Sequence, residues 1–375
     1  MTLIPAIILF ILILIFIFIN VRPGIAQKNN RLIKSIIYGF TGLSYIFLFW
    51  SIIQHNRDFH LIIQRHWFHL NSTSSQLGFY FDNLSIFLAV TFFTILIIKS
   101  VCYVNNSIEV SKYSTLFTNN IVLLILFAGL LIITSDSLLI FLIAQIVLSI
   151  MLFYQYLYRR ASEDKFQNGL IYFIQLILFD LLFLIGVMFI YASVKSFSFT
   201  QIFKAFENGT ISPVTQTVSG FLFILALAGK SAQIPLHKWF VISSQLPDRG
   251  SRYDISLETL ALSMITLLKL RPIFCDNCLS FMIFFGFISA LIAISAAITL
   301  KKPKNIFHYL LIAQGGLFLA IYGSGSASTS LHYIITFCFA NIFLFLSAAF
   351  YTSGGPSSSK PGYKSPYFWL LLWGI

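Results

Sequence analysis

Residues 168–193 read NGLIYFIQLILFDLLFLIGVMFIYAS, and this stretch decides the class of fold. It is long enough to cross a bilayer as a helix, which takes about 20 apolar residues. Its one charged side chain, Asp180, stands near the centre. A helix apolar on all sides belongs either to the core of a large protein or to a membrane, and the rest of the chain decides between them. Of 375 residues, 58% are hydrophobic and 10% are charged, and the mean hydropathy is +0.87. A soluble domain carries about 45–50% apolar and about 25% charged residues. A water-soluble globule of this makeup would have too little polar surface to cover its core. Composition therefore excludes a soluble enzyme, a nucleic-acid-binding protein and a disordered chain. It predicts an all-α fold, a polytopic transmembrane helix bundle.

Outward from 168–193, similar apolar runs place spans near 3–20, 33–53, 82–103, 120–135, 138–157, 217–235, 255–272, 279–299, 306–323 and 329–352, with a further stump at 366–375. A tight turn at Ser135-Asp136 separates the fourth span from the fifth, and Pro235 breaks the helix over 217–235. The first run, MTLIPAIILFILILIFIFIN, lacks the arginines of an amphipathic transit peptide and reads as a spanning helix. The net charge of +12 would suggest nucleic acid in a soluble protein, but here the basic residues fall in short loops. Seventeen Lys and Arg lie on one side of the predicted spans, among them Arg22, Arg159, Lys238 and Lys301, and six on the other, among them Lys195, Lys204 and Arg271. That bias puts the richer side in the matrix or cytoplasm and the amino terminus outside. Cys275 and Cys278 form a C-x-x-C at the mouth of an apolar run; with no second pair they read as apolar thiols and not as a metal site.

An ionisable group within a span costs about 2.5–3.5 kcal/mol on insertion scales, so each one calls for a reason. Lys230 lies in FILALAGKSAQIPLHKWF between Gly229 and Pro235. On a broken helix such an amine can face a hydrated cavity and take and release a proton, or its long stem can snorkel to the interface. Asp180, with its one-carbon stem, must pair, hold a proton or meet water; a pair with Lys230 is the structural alternative to a proton-carrying role. Glu258 and Lys269 lie nearer the predicted interfaces. His237 and His308 have side chains suited to proton transfer but fall near the basic side. Gln145, Gln175, Gln314 and Asn341 do not titrate; they can bond helix to helix or hold a chain of water.

Gly229-Lys230-Ser231-Ala232-Gln233-Ile234, followed by Leu236-His237 and Trp239, resembles the G-K-S-A-Q-I-x-L-H-x-W segment of the antiporter-like membrane subunits of respiratory complex I, nearest the chain 5 branch of NADH:ubiquinone oxidoreductase. Other landmarks follow in the family's order. Phe81-Asp82-Asn83-Leu84-Ser85 resembles F-D-x-L-S, and Asp180 falls at the acid of N-R-x-G-D with Gly186 beyond it. Ala313-Gln314-Gly315 resembles S-Q-x-G, and Leu344–Ala348 resembles the end of F-K-A-L-L-F-L-S-A. The likeness runs over 78–375, with 1–77 as variable spans, and implies a single antiporter-like transmembrane domain over 1–375. It also implies that the family's last spans are missing, to be supplied by a separate polypeptide or dispensed with. At four of the family's titratable positions this chain carries neutral residues: Gln145 for a glutamate, Ile255 for a histidine (with Asp254 and Glu258 beside it), and Phe337 and Asn341 for a histidine and a lysine.

The resemblance implies a membrane-arm subunit that takes part in proton translocation coupled to electron transfer from NADH to quinone. Lys230, Asp180 and His237 would be the carriers, with Glu258, Lys269, Gln145, His308, Gln314 and Asn341 auxiliary. It implies no cofactor on this chain; NADH, FMN, iron–sulfur clusters and ubiquinone would belong to partner subunits, and membrane lipids would surround it, with no nucleic acid. The abundance of Phe, Tyr, Ile and Asn suggests AT-rich codons and organelle encoding, which together with the family implies the mitochondrial inner membrane. Two other readings stay open: a subunit that keeps the fold without conducting protons, and a stand-alone cation/proton antiporter.

Overall fold

The computed structural model describes residues 61–70, 73–81, 85, 88, 89, 92, 121, 124, 125, 127–158, 165–244, 254–300, 303–326, 328–338, 340 and 341. The expected spans 3–20, 33–53 and 366–375, and most of 82–103, lie outside these residues. In chain order come strands β1 (Leu61–Leu70) and β2 (Thr73–Phe81), then helices α1 (Leu138–Tyr158), α2 (Lys165–Val194), α3 (Phe199–Glu207), α4 (Pro213–Lys230), α5 (Lys238–Ser244) and α6 (Asp254–Lys269). A 3-10 turn at Arg271–Ile273 precedes α7 (Asp276–Thr299) and α8 (Pro303–Gly323). The chain is a multi-pass helical membrane protein. Among the described residues, four helical stretches are long and apolar enough to cross a bilayer: Leu138–Leu157, Phe166–Val194, Asp276–Thr299 and Asn305–Gly323. These are the expected spans at 138–157, 168–193, 279–299 and 306–323, to within three residues at either end.

The departures are local. β1 and β2 pair as a two-stranded sheet joined across two residues, in a segment rich in β-branched and aromatic residues that fit a pleated surface. Among the described residues it adds a hairpin to the helices. The expected span at 217–235 ends as a helix at Lys230, and the one at 255–272 is a helix of 16 residues. At Ser135-Asp136-Ser137 the helical residues 127–134 stop and α1 begins. All three turn residues are buried, so this break lies inside the protein and not in a surface loop. Two compact units account for the chain: Met1–Trp67 with Gln76–Tyr158, and Phe68–Ser75 with Arg159–Ile375. The second unit contains every helix from α2 to α8.

Within the second unit, α2 shows how the solvent of this protein inverts the usual pattern. Ile171, Ile174, Leu178, Leu181, Ile185 and Met188 recur at helical spacing and are exposed, whereas Tyr172, Leu176, Phe179, Asp180, Phe183, Val187 and Ile190 are buried. An apolar outer stripe with a polar residue inside is what lipid selects. The buried stripe packs on α4, where the Phe183 and Phe223 rings stand 4.6 Å apart. Helices α7 and α8 pack through small residues. A Cβ at Gly286 would lie 2.5 Å from the Gly316 carbonyl oxygen, and one at Gly316 would lie 2.6 Å from the Gly286 carbonyl. Lipid tails give helices no hydrophobic reason to associate, so close backbone approach of this kind supplies the attraction. At one end of the unit the start of α4, the 3-10 turn and the start of α7 meet, with the Gln216 amide donating to the Ile273 carbonyl at 3.3 Å. Lys269 at the end of α6 lies over the Phe199 ring, 5.2 Å from its centroid.

Candidate functional site

The site is built where α4 stops. The helix starts with Ser212 as N-cap, its hydroxyl accepting from the Thr215 N–H at 3.2 Å, and with Pro213 in the first turn, where its missing N–H costs nothing. It ends at Lys230. The Ala232 N–H donates to the Gly229 carbonyl at 3.0 Å, and the Gln233 N–H to the Ala228 carbonyl at 2.9 Å. With Ala232 at φ +56°, these two bonds form a Schellman cap around a residue in the left-handed region. Glycine usually fills that position; here it is a buried alanine. Beyond it the Ile234–Pro235 peptide is cis, and the chain turns into α5 at Lys238. Residues 231–237 are therefore non-helical backbone at the end of a buried helix, which lipid tolerates only where protein or water satisfies the freed polar groups.

Several residues of the motif have a task in that satisfaction. The Trp239 indole N–H donates to the Gly229 carbonyl at 2.8 Å. The Ser231 hydroxyl donates to the Ala228 carbonyl at 3.2 Å. Gln233 is wholly buried. Its amide donates to the Ser231 carbonyl at 2.9 Å and the Ile312 carbonyl of α8 at 3.5 Å, and its carbonyl accepts from the Ser289 hydroxyl of α7 at 2.8 Å. Ser289 in turn accepts from the Ile234 N–H at 3.0 Å. One glutamine and one serine thus tie the break to two neighbouring helices. Gly315 on α8 makes room for this: a Cβ there would stand 2.5 Å from the Gln233 amide nitrogen. Replacing Trp239 with phenylalanine keeps an aromatic ring but leaves Gly229 with its backbone donor alone and a void where the wholly buried indole was. We expect a loss of about 2–3 kcal/mol, about 1 from the bond and the rest from the void, read as a lower thermal midpoint of the purified protein; an unchanged midpoint would show the indole bond to be dispensable.

The charge sits at the last residue of α4. Lys230 Nζ lies 2.5 Å from Asp180 Oδ1, with the two side chains 6% and 3% exposed. The close approach of α2 to α4 depends on Gly229, where a Cβ would fall 2.3 Å from the Phe179 ring. The pair is dry in the sense that protein covers both heads, and a buried pair is tolerable only because each charge answers the other. The geometry offers a proton two homes, an amine and a carboxylate in direct contact beside a helix whose backbone has already opened.

The other expected residues divide into groups. His237 is half-buried at the far end of the break, its ring 6.0 Å from that of Tyr309. His308 is buried, edge-on to Phe240 at 5.1 Å. Gln314 and Asn341 come together, the Asn341 amide donating to the Gln314 side-chain carbonyl at 3.0 Å, and the Tyr333 hydroxyl donates to the Gln314 backbone carbonyl at 3.0 Å. Gln314 neighbours Gly315, against which Gln233 packs, so the polar line runs from the break onto α8. Gln175 is half-buried on α2, one turn and a half before Asp180. Lys269 stands at the end of α6 over an aromatic ring, away from the middle of a span. Glu258 lies in the first turns of α6, its side chain outside the described residues. Gln145 is buried on α1, in the first unit. Ser289 and Tyr333 were not expected; the signal for Ser289 was its place in the small-residue run Gly286-x-x-Ser289-Ala290.

Comparison with known proteins follows the same line. "NAD(P)H-quinone oxidoreductase subunit 5, chloroplastic" from Pelargonium hortorum is 28% identical over 175 residues, covering 45% of this chain and 24% of that protein. The protein of the same name from Spinacia oleracea is 26% identical over 171 residues, covering 44% and 23%. The alignments thus span about a quarter of the length of these relatives. Among solved structures, a chain of the Mrp complex from Dietzia sp. has the same fold with a TM-score of 0.78 at 15% identity, covering 95% of this chain and 38% of its own. A chain of the archaeal membrane-bound sulfane sulfur reductase, a respiratory membrane complex, gives 0.77 at 16%, covering 92% and 71%. One from Thermus thermophilus respiratory complex I gives 0.68 at 16%, covering 92% and 70%. The family described as NADH:quinone oxidoreductase/Mrp antiporter, TM, matches residues 135–359, and with more than half of its length so matched, this chain belongs to that family.

Proposed function

We propose that the chain is a membrane-arm subunit of a complex I-type NADH:quinone oxidoreductase and takes part in proton translocation through Lys230 and Asp180. The observation that carries this reading is the buried Lys230–Asp180 contact at the end of a broken helix. When the carboxylate stays close, the ammonium is held; when it withdraws, a desolvated amine favours its neutral form and its proton leaves. His237, at the other end of the break, is the exchange point toward the surface. Gln233, Gln314 and Asn341 form a neutral, hydrogen-bonding line that orders water without titrating. Lys269 stays at the interface, and Glu258, Gln145 and His308 are auxiliary.

In this reading one antiporter-like domain extends over 1–375, and it works beside other membrane-arm subunits. Oxidation of NADH, FMN, iron–sulfur clusters and ubiquinone belong to those partners, and this chain contributes to the reductase without a redox centre of its own. The membrane is one that holds a proton gradient. The mitochondrial inner membrane expected from composition draws no support from the relatives, whose names are chloroplastic.

A second reading rests on a specific observation. Gln145, Phe337 and Asn341 are neutral where the family carries titratable groups, and Asn341 is engaged in hydrogen bonds to Gln314 and to the Phe337 carbonyl. That suits a subunit that preserves the fold for assembly. Lys230→Ala in the assembled complex separates the two readings: a lower proton-to-electron ratio with uncoupled NADH oxidation retained supports translocation, and an unchanged ratio supports the structural role. A chain that purifies apart from any NADH dehydrogenase and exchanges cations for protons would instead be an antiporter.

A further inference from the structure

The C-x-x-C at 275–278, expected to be no more than apolar packing, has a different arrangement in the structure. Cys275 is the N-cap of α7, a helix of 24 residues, and Cys278 lies in its first turn. Both are free thiols, with their sulfurs 3.3 Å apart. Cys275 is half-buried and flanked by exposed Asp276 and Asn277, so small solutes reach it, whereas Cys278 is buried. A third group joins them. The Thr217 hydroxyl of α4 stands 3.7 Å from the Cys275 sulfur, and the Cys278 thiol donates to the Thr217 carbonyl at 3.8 Å. The room for Cys278 comes from Gly220, where a Cβ would lie 2.6 Å from its sulfur.

We propose that Cys275 and Cys278 are a reversible thiol–disulfide site, oxidised by small peroxides and reduced by dithiols. The geometry separates the roles. The outer sulfur at the helix N-terminus is the nucleophile and the inner one resolves. Burial pushes the Cys275 thiol up, but the Cys278 and Thr217 side chains, with the Asn277 and Cys278 amides oriented toward the sulfur short of capping geometry, outweigh it and hold the group below its ordinary value. The helix N-terminus favours the thiolate for the same reason. In the first step the Cys275 thiolate attacks one oxygen of hydrogen peroxide. A sulfur–oxygen bond forms, the oxygen–oxygen bond breaks, and the released hydroxide takes up the proton that Cys275 gave, leaving as water. In the second step the Cys278 sulfur displaces the oxygen from the sulfenic acid; the sulfur–sulfur bond forms and a second water departs with the Cys278 proton. Two electrons pass from the two sulfurs to the peroxide, and a dithiol reverses the bond by exchange. Because the Cys278 thiol proton is consumed, its bond to the Thr217 carbonyl is lost on oxidation. The site therefore reports on the contact between α7 and α4, the helix that ends at Lys230.

The test uses the full chain in its native membrane. Membranes are reduced, exposed to hydrogen peroxide, denatured, alkylated with N-ethylmaleimide and digested, and the peptide with both cysteines is followed by mass spectrometry. We expect near-complete loss of the doubly alkylated peptide, appearance of an unalkylated form two hydrogens lighter than the dithiol peptide, and full recovery after dithiothreitol. Buried Cys338 should stay alkylated throughout. In Cys278→Ser membranes Cys275 should instead be trapped by dimedone as a sulfenic acid. Undiminished double alkylation in the native chain after peroxide, or oxidation that runs to sulfinic acid on Cys275 with no disulfide, overturns the proposal without recourse to any variant.

Discussion

Asp180→Ala should destabilise the protein by about 3–5 kcal/mol, the range for removing one partner of a buried ion pair. The size follows from what the substitution leaves behind. Lys230 Nζ has the Asp180 carboxylate at 2.5 Å and protein around the rest of its head. Without the carboxylate, the amine must lose its proton, draw in water, or pull the end of α4 apart. Lys230→Met should cost a similar amount for the opposite reason, since it strands a carboxylate whose short stem cannot reach an interface. The combination Asp180→Leu with Lys230→Met should recover most of the loss, because burying an uncharged pair of similar volume removes both desolvation penalties. Thermal unfolding of the purified protein in detergent for the parent, Asp180→Leu, Lys230→Met and the double variant closes the cycle and gives the coupling directly. If the two single losses simply add in the double variant, the groups do not act as a pair, and the translocation reading loses its structural basis even before a proton is counted.

Much of this was legible in the sequence, and the reasons are specific. Four long spans could be read because lipid demands unbroken apolar length, and length survives in one dimension. The break in 217–235 was visible because Pro235 forbids a continuing helix. The helix stops five residues earlier, at Lys230, because the left-handed Ala232 and its two capping bonds close it there; an alanine in that conformation gives no sequence signal of the kind glycine gives. The pairing of Asp180 with Lys230 was foreseeable on charge alone. The roles of Gln233 and Ser289 were not. Their bond joins residues 56 positions apart, and nothing in a hydropathy profile marks a serine as the anchor of a distant backbone break. The hairpin at 61–81 was missed because it falls in the loop between the expected spans 33–53 and 82–103, and pairing between strands leaves no mark on apolar length. The Gly286 and Gly316 contact was written in the sequence as Gly286-x-x-x-Ala290 and Gly316-x-x-x-Ala320, small residues one helical turn apart, and would have been found by looking for that spacing.

That contact carries the other large effect. Gly286→Leu should destabilise the protein by about 3 kcal/mol or more, at the upper end for overpacking, because the obstacle is backbone. The new Cβ would meet the Gly316 carbonyl oxygen at 2.5 Å and the Ala320 nitrogen at 2.8 Å, and neither can rotate away as a side chain would. Helices α7 and α8 must part. The consequence reaches the site, since Ser289 sits three residues along α7 from Gly286 and Gln233 bonds to both helices, through Ser289 and through the Ile312 carbonyl. Separating α7 from α8 stretches that bridge, so this variant should also weaken whatever Lys230 does, at a distance and without touching a charge. Two controls divide the effect. Ser289→Ala removes the hydrogen bonds alone and should cost about 1 kcal/mol. Leu291→Ala, on the exposed face of the same helix, should change the thermal midpoint little. A Gly286→Leu protein as stable as its parent would mean that α7 and α8 are not held by backbone contact, and the break would then need another anchor than the one formed by Gln233 and Ser289.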